Sequence, residues 1–381
     1  MRKRQAINIR KIVYGLLCLN CITISFNVAA IAAAVPGIAA NLHLPDFLVS
    51  RIIPAYMIPY GIGALLYAPL ARYFSFRLVM AASIGLYALG SLLCAQITSI
   101  DHFVIARILC GVAGAGVIPL GLIIIGKMFE KKVRGRLVGL FFGCSFVSSV
   151  AGVFLSGVAD WRYLFYIPFV LGLLASFLIF IVKSDILEGR QKNPVNYFNS
   201  IYNIKIRNIF IFIFIISFLY HGLHKWFGVY LNHDYGLNQL SISLIFVLMA
   251  VFGFAGQILG GFISDKRGRL MSCFVGILIL GASTMLLVGH YPVWILAIIL
   301  CATSIGWTIG HNGVSTVLTD FPEENRAEVA SLNSSVRFLS GGLGFLATAP
   351  FVEKSFSVTF LCIGALMFLL ILFVRKAVCE H

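Results

Sequence analysis

Acid is what this chain has least of. Asp and Glu together number 14 in 381 residues, against 29 Lys and Arg, and charged residues of both signs make up only 11%. With 60% hydrophobic residues and a mean hydropathy of +0.97, that scarcity excludes an ordinary soluble domain. Polar low-complexity tracts are also missing, so neither a disordered tail nor an appended soluble domain of any size is expected. No G-x-x-x-x-G-K-[ST] loop occurs, which removes ATP as the expected energy source, and no cofactor is expected. The nine cysteines are odd in number and fall mostly inside apolar runs, which argues against a disulfide framework. Cys18 and Cys21 form a C-x-x-C, but without a second ligand pair, and no metal site is expected from it. The net charge of +15 is spread over short segments between apolar runs and not gathered on one patch, so nucleic acid is not an expected partner.

Long apolar runs are what the chain has in plenty. A hydrocarbon core of about 30 Å needs about 20 helical residues at 1.5 Å each. Twelve runs meet that length, near 12–35, 48–70, 77–97, 102–126, 137–159, 162–182, 208–231, 240–263, 271–289, 292–318, 327–350 and 356–375. The first follows MRKR and ends in AAIAAAVPG, resembling a cleavable signal peptide; its length and the eleven spans behind it favour a retained helix. Of the 29 Lys and Arg, Arg51, Arg162 and Lys354 fall on one side and Arg107, Lys225 and Arg337 within spans. All others share the side of the two termini. The positive-inside rule therefore puts both termini in the cytoplasm of a multi-pass protein of the cell's inner membrane. The longest polar interruption, Lys183 to Arg207, divides the chain into an N-terminal half (1–183), a cytoplasmic linker (184–207) and a C-terminal half (208–381). Within it NYFNSIYNIKIRN suits a short helix on the membrane surface. The fold class is an all-α integral membrane protein with twelve transmembrane helices in two pseudo-symmetric six-helix halves.

If the halves are repeats, the loop after the second span should resemble the loop after the eighth. GGFISDKRGR at 260–269 and APLARYFSFR at 68–77 each close a glycine-containing helix and precede an apolar span. On these residues the chain resembles the major facilitator superfamily, nearest its drug and metabolite antiporter-like branch, whose loop pattern is roughly G-x-x-x-D-x-x-G-R-[KR]. Asp265, Gly268 and Arg269 stand at the family spacing and imply a conformational latch between inward-open and outward-open states. In the first half Arg72 occupies the Asp position and Ser75 the Gly position, so that latch is lost or rewired. IARILCGVAGAG at 105–116 resembles the family's R-x-x-x-G-x-x-x-G, with Arg107 and Gly111 in place, and DWRYLF at 160–165 its Trp-Arg pair. The fifth span reads GCSFVSSVAG where the drug-antiporter branch usually has a Gly-Pro pair.

An ionised side chain at the bilayer centre costs at least about 2.5–3.5 kcal/mol on insertion scales, so each one requires a function or a short reach to water. The resemblance links Arg107 to proton coupling; the plainer reading is a structural hydrogen-bonding Arg. Arg337 lies near the midplane of the eleventh span, with Asn333 on its face at i−4, and its side chain cannot reach bulk water from there. In the seventh span, YHGLHKW at 220–226 carries His221, His224 and Lys225 on one face. The resemblance makes that face a cavity lining; the competing reading is an outward-snorkelling Lys225. His311 and Asn312 add a polar point in the tenth span, with interhelical hydrogen bonding as the plainer account. No acid falls in the middle of any span.

A cavity with Lys, Arg and His but no acid attracts an anion, and histidine suits a coupling proton. The expectation is a non-enzymatic secondary transporter that moves a small organic anion or anionic amphipath by alternating access around a site between the halves. Substrate-binding residues are Lys225, His221, His224, Arg337, Asn333, His311 and Asn312; coupling residues are Arg107 and His221; latch residues are Asp265, Gly268, Arg269 and Arg72. Its partners are the small-molecule substrate, protons and the lipid bilayer, and the protein is a monomer. Two alternatives stand beside this: a broad-specificity drug/H+ antiporter-type efflux pump, and a non-transporting receptor or scaffold on the same fold.

Overall fold

Backbone N–H and C=O groups find no partners in hydrocarbon, so an apolar run in a bilayer must satisfy them within itself. A computed structural model describes residues 2–190, 197, 202–318 and 326–378; among them there are helices and no strand. Twelve stretches are long and apolar enough to cross a membrane: Asn8–Val28, Asp46–Tyr73, Phe76–Ala95, Ile100–Met128, Lys132–Val158, Tyr163–Ile181, Ile206–His233, Gln239–Arg267, Arg269–Leu286, Val293–Val314, Glu328–Val352 and Phe356–Arg375. They are numbered here as spans one to twelve. The chain groups into two compact units, one of residues 1–196 with 330–339, the other of residues 197–329 with 340–381. Part of NYFNSIYNIKIRN lies outside the described residues; its end is the first turn of the helix Ile204–His224.

Four of the expected continuous helices are interrupted, the second only near its start, where a 3-10 turn Ser50–Ile52 separates Asp46–Val49 from Pro54–Tyr73; the other three break further along. The first span ends at Val28 and the chain resumes as Ala30–Leu42; the fourth breaks at Ala115 and Gly116, the seventh at Lys225 and Trp226. Hydroxyl groups from neighbouring helices account for the breaks, because a side chain that takes a carbonyl competes with the i→i−4 bond. In the fourth span the Tyr67 hydroxyl lies 3.0 Å from both the Val112 and Ala113 carbonyls, and Ser83 donates to Ala113 at 2.6 Å. In the seventh, Thr348 donates to the Gly222 carbonyl at 2.7 Å, while Trp226 N–H turns to Leu223 at 2.8 Å. In the first, Ser149 donates to the Ser25 carbonyl at 3.1 Å, one turn before the break. None of the hydroxyl donors is near in sequence to the carbonyl it takes.

Close helix crossings repeat inside each unit. A methyl group at Gly152 would overlap the Phe26 carbonyl, and one at Gly344 would overlap the Phe218 carbonyl. Gly172 sits against Ala88 and Gly364 against Met285 in the same manner. Gly344, Phe218 and Gly364 follow Gly152, Phe26 and Gly172 at one and the same sequence interval. The repeat is thus visible in packing where it is faint in side chains. Where the fifth span passes to the sixth the Trp-Arg pair does local work: Trp161 Nε1 and Arg162 Nη1 donate to Asn41 Oδ1 at 3.2 and 3.1 Å, pinning the end of the Ala30–Leu42 helix.

Candidate functional site

The loops after the second and eighth spans set the ends of the helices they join. Gly268 takes φ 84 and ψ 162, a conformation open essentially to glycine alone, and joins the Gln239–Arg267 helix to Arg269–Leu286. Asp265 is exposed in the last turn of that helix and Arg269 half-buried in the first turn of the next. The first-half loop solves the same corner differently. Ser75 has no need of a positive φ: its hydroxyl caps the next helix by accepting from Leu78 N–H at 3.3 Å. Arg72 is exposed. Arg77, at the pattern's last position, donates to the Phe180 and Val182 carbonyls at 3.0 and 2.7 Å and meets Glu188 at 2.9 Å. Phe76 N–H adds a bond to Gly189 at 2.9 Å and Lys127 one to Arg190 at 2.9 Å. The segment after the sixth span is therefore strapped to this corner.

Arg107 is 2% exposed. Its Nε donates to the Ile52 carbonyl at 3.2 Å and its guanidinium lies over the Tyr56 ring at 4.3 Å, which leaves Nη1 buried without a hydrogen bond. Arg337 is half-buried, and the i−4 spacing of Asn333 is realised as a 2.8 Å bond from Nε to Oδ1. Beside it Phe338 stacks on Tyr60 at 3.9 Å.

In the other unit the seventh span breaks just after the two histidines. The break lies at Lys225 itself, which is 7% exposed and so enclosed by protein, in disagreement with a side chain stretched out along lipid. His221 and His224 are half-buried and set among rings. Tyr220 stacks on Trp307 at 4.2 Å with 2° between planes and on His224 at 5.0 Å; His221 meets Trp307 edge-on at 5.1 Å, and His311 follows at 5.5 Å. Asn312 is engaged elsewhere, donating to the Gln257 carbonyl at 3.1 Å and tying the tenth span to the eighth. The polar side chains gathered in this unit are thus His221, His224 and His311 around the stacked rings of Tyr220 and Trp307, with Lys225 next to His224 in the chain.

Acids keep to the ends of helices and the segments between them. One of them, Glu328, is nevertheless buried, 8% exposed in the first turn of the eleventh span. At 1.5 Å per residue it stands about 13 Å along the axis from Arg337. Among the described residues no group of three or more His, Cys, Asp or Glu is placed to hold a metal ion.

A sequence model of the Major Facilitator Superfamily matches residues 17–345. The chain belongs to the major facilitator superfamily. Superfamily relatives include an uncharacterized MFS-type transporter, YwfA of Bacillus subtilis, 24% identical over 84% of this chain and 80% of its own length. Multidrug resistance protein 3 of Bacillus subtilis is 26% identical over 48% of this chain and 36% of its own length. The chain spans only 24% and 49% of two further relatives, azole resistance protein 1 of Saccharomyces cerevisiae and the transporter ptmT of Penicillium ochrochloron. Among solved structures, a bacterial homolog of the human lysosomal transporter Spinster, inward-facing and occupied, aligns with a TM-score of 0.77 at 16% identity over 97% of this chain and 96% of its own. The human organic anion transporter MFSD10 aligns with a TM-score of 0.72 at 14% identity over 97% and 99%. At these identities the structural likeness speaks for the superfamily fold.

Sequence reasoning found the histidines and buried cations because charge in an apolar run is conspicuous. It passed over Tyr220, Trp307, Tyr56 and Thr348. Aromatic and hydroxyl residues are ordinary in such runs, and only their partners set these apart. Glu328 was placed correctly at a helix end; its burial was not legible.

Proposed function

We propose that this superfamily member is a secondary active transporter that moves a small organic anion or anionic amphipath by alternating access, driven by the proton gradient or by exchange. The reading rests on one observation: Lys225, Arg107 and Arg337 lie within apolar spans while no acid occupies the middle of any span. A fixed cation in low dielectric is tolerated when something negative or strongly polar answers it, and a transported anion does so for part of each cycle. Lys225, His221, His224 and His311 on one unit and Arg337 with Asn333 on the other are the residues assigned to the cargo, with Asn312 steadying the tenth span behind them. Arg107 and His221 are assigned to coupling. Asp265, Gly268 and Arg269 form the second-half latch, and the Arg72 loop serves as its altered counterpart. Residues 184–207 act as a cytoplasmic linker between six-helix halves, and the protein works as a monomer in the inner membrane with both termini in the cytoplasm. MFSD10, named as an organic anion transporter, gives this cargo class a precedent on the same fold.

A second reading, a broad-specificity drug/H+ antiporter, is favoured by the aromatic walls and by relatives such as multidrug resistance protein 3. Solute flux in proteoliposomes, with and without a pH gradient, separates the readings. Anion flux lost on Arg337→Ala and weakened on Lys225→Ala is the expected result. Flux of cationic dyes alone moves the assignment to a drug antiporter, and absence of flux for every solute moves it to a receptor or scaffold.

A further inference from the structure

The third and fourth spans cross closely inside the first unit. A methyl group on Gly90 would come within 2.8 Å of the Cys110 sulfur and 3.4 Å of the Cys110 backbone nitrogen, so the missing side chain is what admits that sulfur. Tyr87, Gly90 and Cys94 follow one another at helical spacing along the same face of the third span. The Cys110 thiol is directed at the Tyr87 carbonyl, 3.9 Å away, and its sulfur lies 4.0 Å from that of Cys94. Both cysteines are free and buried. Cys94 stands in the last turn of the Phe76–Ala95 helix. Cys110 belongs to the Ile100–Gly114 helix, between Arg107 and the break at Ala115.

Thiols at a helix crossing can serve as small apolar groups and nothing more, and any small residue fills that role. Sulfur facing sulfur adds a chemistry that Ala or Ser in these places lacks. We infer that Cys94 and Cys110 are an oxidisable pair that a small peroxide converts to a disulfide, and that the new bond ties the helix carrying Arg107 to the third span. The sulfurs must close by about 2 Å from 4.0 Å to reach disulfide length. Because the backbones already cross closely at Gly90, side-chain rotation with a small helix shift supplies that closure. A small neutral oxidant enters at the helix end, where the last turn opens most readily. There the Cys94 sulfur attacks one peroxide oxygen, the O–O bond breaks, and the other oxygen leaves as water with the thiol proton. Cys94 is then a sulfenic acid. The Cys110 sulfur attacks it, the S–S bond forms, the S–O bond breaks, and the hydroxyl leaves as water with the Cys110 proton. The two sulfurs lose two electrons and the peroxide gains them. Nothing in these steps depends on which solute is carried.

The test exposes the fully reduced, full-length protein in nanodiscs to graded hydrogen peroxide, followed by N-ethylmaleimide, digestion without reductant and peptide mapping by mass spectrometry. The expected product is a linked pair of peptides carrying Cys94 and Cys110, about 2 Da lighter than their sum, with loss of both alkylatable thiols. Dithiothreitol is expected to restore both. Backbone hydrogen exchange across residues 100–114 is expected to be slower in the oxidised protein than in the reduced one. Cys94→Ser is expected to give neither the link nor the slower exchange. Cys94 and Cys110 that stay alkylatable while Cys18 or Cys362 is oxidised overturn the inference, as does their passage to sulfinic or sulfonic acids without a link. A link between Cys18 and Cys21 that forms as readily also overturns it, because the 4.0 Å pair then has no special reactivity. Linkage without slower exchange overturns the restraint on the fourth span. Because link and exchange are both read on the wild type, the test stands even if Cys94→Ser fails to fold.

Discussion

Gly268 shows how much one residue can decide. Its φ of 84 and ψ of 162 belong to a region that a Cβ all but closes, and nothing lies within 4 Å of the place where that Cβ would sit. Backbone strain therefore acts alone there, and Gly268→Ala is expected to destabilise the protein by about 1–3 kcal/mol. Gly139 is the control: it lies inside the Lys131–Val158 helix, also with nothing within 4 Å of its Cβ position, and there Gly139→Ala is expected to stabilise by about 0.5–1 kcal/mol through lower chain entropy. Thermal unfolding in detergent measures both. Destabilisation at both sites would mean that the loop is not the strained element. The G-R pair of the loop was legible as a turn because glycine is the residue type such a backbone demands. Ser75, in the equivalent place, was legible only as a departure, since an N-cap needs the start of the following helix to be known.

At the scale of elements, helix breaks and straps depend on long-range hydrogen bonds. Thr348 donates to the Gly222 carbonyl and accepts from Trp226 Nε1 at 3.1 Å, so it supports both sides of the seventh-span break. Thr348→Val keeps the shape and removes both bonds; the exposed need of a buried carbonyl and an indole N–H puts the expected loss at about 1–3 kcal/mol, while Thr348→Ser keeps most of the stability. Unfolding midpoints of the two variants that coincide would refute the account. For the Arg77 strap, magnitudes rank the contacts. Glu188 is 61% exposed, and exposed ion pairs contribute about 0–1 kcal/mol, so the carbonyl bonds to Phe180 and Val182 carry more of the attachment. Arg77→Ala is accordingly expected to raise hydrogen exchange across residues 182–190, and Glu188→Gln to leave it close to wild type. Rapid exchange in the wild type would show that the strap is not closed in solution.

For the molecule as a whole, the repeated glycine crossings are the structural record of its two halves. Gly152 on Phe26 and Gly344 on Phe218 hold the fifth span to the first and the eleventh to the seventh, so the broken first and seventh helices each have a backbone pressed against them. Gly344→Ala and Gly152→Ala are each expected to cost about 1–3 kcal/mol by overpacking. Their similarity is itself the forecast: unfolding that responds to one substitution and ignores the other would deny the two crossings an equivalent role. Twelve spans, helical class and family were legible because a bilayer leaves a run of apolar residues so few options. The continuity of the first, fourth and seventh helices was not, since Tyr67, Ser83, Ser149 and Thr348 act on carbonyls of other helices.

The sequence by itself determined that the chain enters a membrane as helices, how many there are, and that Arg107, Lys225 and Arg337 fall within spans while no acid falls in the middle of one. Burial of apolar area and the cost of unpaired backbone in hydrocarbon act run by run, so they can be read from one run at a time. Tertiary structure alone decided where helices break, that Lys225 is enclosed, that Asn312 donates to a carbonyl of the eighth span, and that Tyr220 and Trp307 stack face to face. Each of those outcomes depends on atoms from two helices distant in the chain, and only folding brings them within a hydrogen bond or a ring's width of each other.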